Sequence, residues 1–295
     1  MYPRMGEVVV KPSPEWVAFG EEIFESLPGL YKSHAVTNPI YSHLSQVVKS
    51  HFDGLDTDRP GFGPFADLHW PRVSAGSGPV DSFGFFCLVE FVIYSFYWQN
   101  RGRYRTLFDV GSNMGPDAII AAKMGYEVDA FEPDPQTFEL LKRNIEANHT
   151  ESVTPHCIAI SDTTGVVDFV RVKGNLMASH ISGARDFYGD HEYFSVETST
   201  LDDFGAYPDL IKINAEGSEG AILGSIPREQ WDSMDALTEV HNKENRDEIF
   251  NCFAKNGVNI FAQKVGWLEV KKLADMPTNS KEGYIFISIK DNMPW

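Results

Sequence analysis

From residue 106 to the C-terminus, short apolar runs alternate with stretches whose apolar residues recur at helical spacing. Residues 106–110, 127–131, 153–160, 210–214 and 235–240 read as five buried strands, and 258–263 with 284–290 as a final strand pair. Between them, 116–124 reads as a helix with Pro116 in its first turn, where a missing N–H costs nothing. Asp134 is a helix cap followed by Pro135, and the helix after it carries Phe138, Leu141 and Ile145 on one face. Residues 247–256 form another helix, closed by Gly257. Strand–helix alternation of this kind predicts an α/β protein with a mostly parallel seven-stranded sheet covered by helices on both faces. Residues 166–172 and 193–197 are extra strands flanking a loop.

Upstream the pattern differs. Residues 14–27 (Trp16, Phe19, Ile23, Leu27) and 41–52 have helical spacing, and 53–78 is a loop dense in Gly, Pro and Asp. Residues 81–99 are an aromatic-rich helix pressed on the next domain, with Asp81 and Ser82 at its start. Its apolar stretch contains Glu90 and falls short of the roughly 20 residues that span a bilayer. The chain therefore divides into a partly helical accessory region, 1–78, and a main domain, 79–295. With 42% hydrophobic and 23% charged residues, the 295-residue chain is expected to pack rather than remain disordered. Its net charge of −17 repels phosphate backbones and anionic lipid, so neither nucleic acid nor membrane is the expected partner. Cys87, Cys157 and Cys252 are odd in number and far apart, matching neither a disulfide framework nor a zinc pattern. No signal peptide is visible at residues 1–10. A cytoplasmic location is the simplest expectation, with Cys157 buried in its strand.

Ligands of such sheets bind at the carboxyl ends of the strands. The first strand ends in Asp109-Val110-Gly111-Ser112-Asn113-Met114-Gly115, where Gly111 and Gly115 allow a tight turn and close approach of a ligand. The second strand ends in Glu132, about 20 positions after Gly111, where an acid can accept hydrogen bonds from both hydroxyls of a ribose. A dinucleotide and S-adenosylmethionine both fit this arrangement. The dinucleotide fingerprint asks for a third glycine and bare backbone in the middle of the turn. Here Asp117 and Ala118 follow Pro116, and Asn113 carries a side chain, which favours S-adenosylmethionine. Asp162, after the third strand, can accept from the adenine amine or form an Asx turn with Thr163 and Thr164.

The fourth strand continues into Lys212-Ile213-Asn214-Ala215-Glu216-Gly217-Ser218-Glu219. With Asp109–Gly115 and Phe131-Glu132-Pro133, this run resembles the FkbM family of S-adenosylmethionine-dependent methyltransferases, over roughly residue 81 to the C-terminus. Asn214 stands where that family usually has aspartate, which keeps an acceptor oxygen and removes a charge. The resemblance implies a Rossmann-like class I methyltransferase fold, to which the helical spacing before residue 79 adds a helical N-terminal extension. It also implies O-methylation, with a saccharide or another small hydroxyl-bearing molecule as acceptor. The expected cofactor set is Asp109, Gly111, Asn113, Gly115, Glu132, Asp162 and Asn214.

Methyl transfer to a hydroxyl is helped by a base that takes the proton during attack. Candidates at the strand ends are Glu216 and Glu239, with His241 on the same side of its strand as Glu239. His180 lies in a loop that also offers Asn175 and Ser179 to a substrate. Glu216 could instead bind the methionine amino group. Glu216, Glu239 and His241 are metal-ligating types, but no compact spacing supports a metal site. An NAD-linked oxidoreductase and a non-catalytic cofactor-binding module remain as alternatives.

Overall fold

A computed structural model of the chain describes residues 14–52, 65–70, 85–173, 179–184, 189–253 and 256–295. Asp81, Ser82, Asn175, the 78/79 division and the side chains of Trp16 and Phe19 lie outside the described residues. The strands are β1 (Thr106–Val110), β2 (Glu127–Phe131), β3 (Val153–His156), β4 (Ala159–Ile160), β5 (Gly165–Val172) and β6 (His180–Ile181). They continue with β7 (His191–Ser199), β8 (Leu210–Ile213), β9 (Asp235–Thr238), β10 (Asn259–Ala262), β11 (Leu268–Glu269) and β12 (Ile285–Ser288). The helices are α1 (Pro14–Ser26), α2 (Pro39–Phe52), α3 (Leu88–Asn100), α4 (Pro116–Lys123), α5 (Pro135–Asn148), α6 (Glu219–Ser225) and α7 (Lys243–Phe253).

The main sheet has the order β11-β10-β12-β9-β8-β1-β2-β3. The strands from β3 to β9 run parallel, and β12 is antiparallel to both β9 and β10. The sheet thus has one strand more than expected, because the two-residue β11 adds to its edge. Such a short strand shows no alternation in sequence. Strand alternation sorts the core onto two faces. Leu107, Val128, Leu210, Leu237 and Phe286 join α3, α4 and the N-terminal helices. Phe108, Phe131, Ile211, Ile213 and Ile287 join Ile222 of α6 and Ile249 of α7. Ile23, Leu27, Tyr41 and Val48 share the first of these cores, so the N-terminal helices are part of its packing. No helix among the described residues is long and apolar enough to cross a membrane.

The expected third strand, 153–160, is broken. β3 stays on the edge of the main sheet, where Pro155, lacking an N–H, is tolerated. The chain then leaves it, and β4 pairs with β7 in a second sheet of order β4-β7-β5-β6. Cys157 sits at the break and is exposed, not buried as its strand position suggested. The extra strands β5 and β7 form the long antiparallel ladder of this second sheet.

One histidine pins the N-terminal region to the C-terminal part of the chain. His34 Nε2 lies 2.9 Å from the Leu27 carbonyl, and Trp267 Nε1 donates to His34 Nδ1 at 3.0 Å. This pairing fixes the neutral tautomer with hydrogen on Nε2. Burial pushes the pKa of His34 down to about 4, against the Leu27 carbonyl that raises it. The unfolded chain, with an ordinary value near 6.5, binds the proton first as pH falls. Stability is therefore fully present above about 6.5 and drops as pH falls towards about 4, by on the order of 3 kcal/mol. Melting temperatures measured from pH 7 to 4 should show this loss, and the His34→Gln variant should show a flatter profile.

Candidate functional site

The sheet order reverses between β1 and β8, and a cavity of about 410 Å³ opens at the carboxyl ends of β1, β2, β8 and β9. Val110, Gly111, Asn113, Glu132, Asn214, Glu216, Glu239 and His241 line it from the main sheet. Phe169, Ser179, His180 and Ile181 line it from the second sheet, and Val89 and Glu90 from α3.

The turn after β1 is held from three sides. The Gly111 and Ser112 amides donate to the Phe131 carbonyl at 3.0 Å each, and Asn144 of α5 donates to the Met114 carbonyl at 2.9 Å. Gly111 has φ +76°, and a Cβ there would lie 2.0 Å from the Asn214 carbonyl oxygen. Only glycine lets the β1 and β8 turns approach so closely. Asn113 also has a positive φ, +52°, and its Oδ1 accepts from the Met114 amide at 2.8 Å. Gly115, at φ +88°, starts α4 in the left-handed region, where a Cβ would meet Leu141 at 2.4 Å.

Glu132 is 6% exposed. One carboxylate oxygen accepts from the Asn113 amide at 3.0 Å and the other from the Asp134 amide at 2.8 Å. Burial pushes its pKa up to about 8, opposed by these two amides. Each oxygen keeps a lone pair for a further donor. Asn214 Oδ1 is buried at the cavity and has no hydrogen-bond partner.

Asp109, Gly115 and Asp162 do not line the cavity. Asp109 belongs to the opposite side of β1 from Val110, and its carboxylate is 3.1 Å from the Lys212 ammonium. These two residues are cross-strand neighbours in the β1–β8 register. Asp162 is exposed and accepts from Ser161 Oγ and Thr163 Oγ1, at 3.1 and 3.4 Å, in a turn after β4. Ala159 and Ile160 of β4 line the cavity, and Asp162 lies just beyond them in the exposed turn.

A second group of charges lies beside the glycine turn. Lys212 is 3% exposed and also contacts Asp117 at 3.4 Å, while the Tyr97 hydroxyl donates to Asp117 at 3.0 Å. Burial works against the charge on Lys212, but Asp109, Asp117 and Glu90 outweigh it and hold its pKa above the ordinary range. Glu90 accepts from the Tyr284 hydroxyl at 3.3 Å. Burial, then the charges of Asp117 and Glu239, push Glu90 well above the usual carboxylate range.

At the far end His241 sits among three carboxylates. Its Nδ1 is 2.9 Å from Glu219, and its Nε2 is 3.5 Å from both Glu216 and Glu239. Burial opposes a charge on His241, but Glu219 and Glu216 overcome it and raise its pKa well above the ordinary value. Glu219, fully buried, also accepts from the Ala215 amide at 2.8 Å and the Gly217 amide at 3.1 Å. Burial works against its charge too, yet His241 and these amides keep its carboxyl below the usual range. Glu216 is held at φ +52° in that turn, a strained setting for a residue with a side chain. Burial pushes Glu239 up to about 7, with His241 pulling it down and Glu216 pushing it up. Among the described residues, no group of three or more His, Cys, Asp or Glu side chains is placed to hold a metal ion.

Sequence reasoning did not give roles to Glu90, Asp117, Lys212, Glu219 or Tyr284. Lys212 carries a signal all the same: it is a charge inside a four-residue strand buried throughout, a rare setting unless paired.

Several solved structures resemble this one at low identity. A precorrin-6y C5,15-methyltransferase from Geobacter metallireducens GS-15 is 11% identical, with 64% of this chain and 82% of that chain covered and a TM-score of 0.35. A ribosomal protein L11 methylase from Lactobacillus delbrueckii subsp. bulgaricus is 15% identical, with 65% and 75% covered and a TM-score of 0.35. An rRNA methylase from Streptococcus thermophilus is 8% identical, with 67% and 94% covered and a TM-score of 0.38. Likenesses this distant say nothing about substrate. No curated protein matches the sequence. The family model described as a methyltransferase FkbM domain matches residues 109–263, from the aspartate next to the end of β1 to the residue after β10, which is just over half of the chain. The chain belongs to the FkbM family of S-adenosylmethionine-dependent methyltransferases.

Proposed function

We propose that the protein is an O-methyltransferase that methylates a hydroxyl of a saccharide or glycan. The observation that carries this reading is the buried Glu239 carboxylate, which lines the cavity with His241 Nε2 3.5 Å away; burial pushes its pKa up to about 7. A sugar hydroxyl is a weak nucleophile at neutral pH, and a base tuned to that range is the help it needs.

The residues at the strand ends fit S-adenosylmethionine. Glu132 has a free lone pair on each oxygen for the ribose hydroxyls. The partnerless Asn214 Oδ1 suits the ammonium of the methionine part. The bare backbone at Gly111 leaves space for close approach. When bound, the cofactor supplies a methyl carbon activated by a positively charged sulfur. Glu239 accepts the proton of the acceptor hydroxyl. His241, kept charged by Glu219 and Glu216, stays a cation and so holds Glu239 in place rather than competing for that proton. His180 and Ser179, from the second sheet, bind and orient the acceptor, and Phe169 and Ile181 exclude water.

The test has two stages. S-adenosylhomocysteine should raise the melting temperature, by about 2.7 kcal/mol of added stability at a hundredfold excess over Kd, and NAD should not. Methyl transfer is then followed with labelled cofactor on a panel of saccharides, amines and thiols. Turnover confined to amines or thiols would overturn the hydroxyl acceptor. Binding with no turnover on any acceptor would favour a non-catalytic module.

A further inference from the structure

The Arg171 side chain is a buried cation that belongs to neither the glycine turn nor the His241 cluster. It lies on β5, 8% exposed, and is bonded on every side. Its Nε and one terminal nitrogen donate to the two Asp134 oxygens at 2.6 Å each, a paired fork. The other terminal nitrogen donates to Glu192 at 3.0 Å, and the guanidinium stacks 4.4 Å from the centre of the Phe194 ring. Glu192 and Phe194 both belong to β7, so Arg171 also joins the ladder of the second sheet.

Asp134 is fully buried and serves two further purposes. Its Oδ1 accepts from the Gln136 amide and caps α5, at 2.8 Å. Its own amide donates to Glu132 at 2.8 Å. Glu132 and Asp134 are therefore two buried carboxylates two residues apart, and the negative charge of Asp134 works against ionisation of Glu132. Arg171 is the cation that neutralises Asp134. Without it, either Asp134 is left as an unpaired buried charge or the loop 132–134 shifts to relieve the repulsion. Both outcomes disturb the Glu132 carboxylate.

Arg171 also acts on the other side of the cavity. Phe169, two residues earlier on the same face of β5, lines the cavity, and His180 and Ile181 of β6 pair with Val170 and Phe169. A hydrogen-bonded link from this roof to Glu132 runs through the Arg171–Asp134 fork.

We propose that Arg171 is a positioning residue: by clamping Asp134 it sets the ionisation and orientation of Glu132 for the cofactor ribose and seats the roof of the second sheet over the acceptor. The proposal rests on the reading of Glu132 as the ribose acid.

A double-mutant cycle on S-adenosylhomocysteine affinity tests it, read by calorimetry on the full chain at 25 °C with melting temperatures as a folding control. Arg171→Met should weaken binding roughly tenfold in the native background, and this effect should vanish when Glu132 is already Gln, because the two act through one carboxylate. The acceptor KM should also rise more than kcat falls. A residue that only supports the fold would lower the melting temperature and leave the affinity of the folded protein unchanged, which overturns the proposal. An equal tenfold loss in both backgrounds also overturns it, since Arg171 would then act independently of Glu132. If Glu132→Gln by itself leaves affinity unchanged, the ribose reading fails instead, whatever Arg171 does. Arg171→Lys, which keeps the charge and loses the fork, takes the place of Arg171→Met if the methionine variant does not fold. The expected pattern is the same with a smaller loss, and additivity in that cycle overturns the proposal.

Discussion

Glu132→Gln lowers affinity for S-adenosylhomocysteine by roughly 10²-fold while the protein remains folded. The glutamine is isosteric, so the cavity keeps its shape and the change is chemical. In the native protein both carboxylate oxygens accept from backbone amides, of Asn113 and Asp134. The remaining lone pairs are the ones a ribose diol can use. Glutamine has a single acceptor oxygen and places an NH₂ against one amide and one hydroxyl. Losing a hydrogen bond to a charged acceptor costs about 1.5–3 kcal/mol, and every 1.4 kcal/mol is tenfold in affinity. Burial pushes Glu132 up to about 8 in the ligand-free protein, and the diol favours its charged form. Binding therefore releases protons below pH 8, and affinity falls as pH drops. Calorimetry in buffers of different ionisation enthalpy measures both effects. Unchanged affinity in the variant would place the ribose elsewhere in the cavity.

The parts of the fold set by local rules were legible in the sequence. β1 and β2 have the predicted bounds, and α5 begins at Pro135 behind its Asp134 cap. Gly111, Asn113, Glu132, Asn214, Glu216, Glu239 and His180, read from strand ends, the motifs and one loop, are together around one cavity. The missing third glycine and the Asn113 side chain in the turn already favoured S-adenosylmethionine over a dinucleotide, and the motif after β8 added the family resemblance. What was not legible depends on partners distant in sequence. β4 joins β7 only because the two meet in space, so a continuous strand at 153–160 was the natural reading, and Cys157 was misplaced with it. Asp117 and Lys212 are nearly a hundred positions apart and touch only because β8 lies beside β1 and α4 starts above them. Glu90 meets Tyr284 from opposite ends of the chain. A single charge in an apolar helix was visible, but its partner was not.

Glu239→Gln is expected to reduce kcat by roughly 10²–10⁴-fold, the usual contribution of a positioned base, with affinity for S-adenosylhomocysteine nearly unchanged. The assignment follows from how the neighbouring groups divide their charges. His241 faces Glu219 with one nitrogen and Glu216 and Glu239 with the other, and it stays protonated across the neutral range, so it has no lone pair to offer. Glu219 is held as a carboxylate by His241 and the turn amides, well below the range in which it could usefully take a proton. Glu239 is left between these extremes at about 7. A base works only when deprotonated, so the native rate should fall about tenfold per pH unit on the acid side of this value and level off above it. A cation bound beside Glu239 favours the carboxylate, which moves the inflection lower in the loaded enzyme. The glutamine variant should lose that inflection along with its rate. A full rate with the inflection intact would exclude Glu239 as the base. The same measurement on Glu216→Gln then becomes decisive, because that carboxylate lies on the same side of His241 and lines the same cavity.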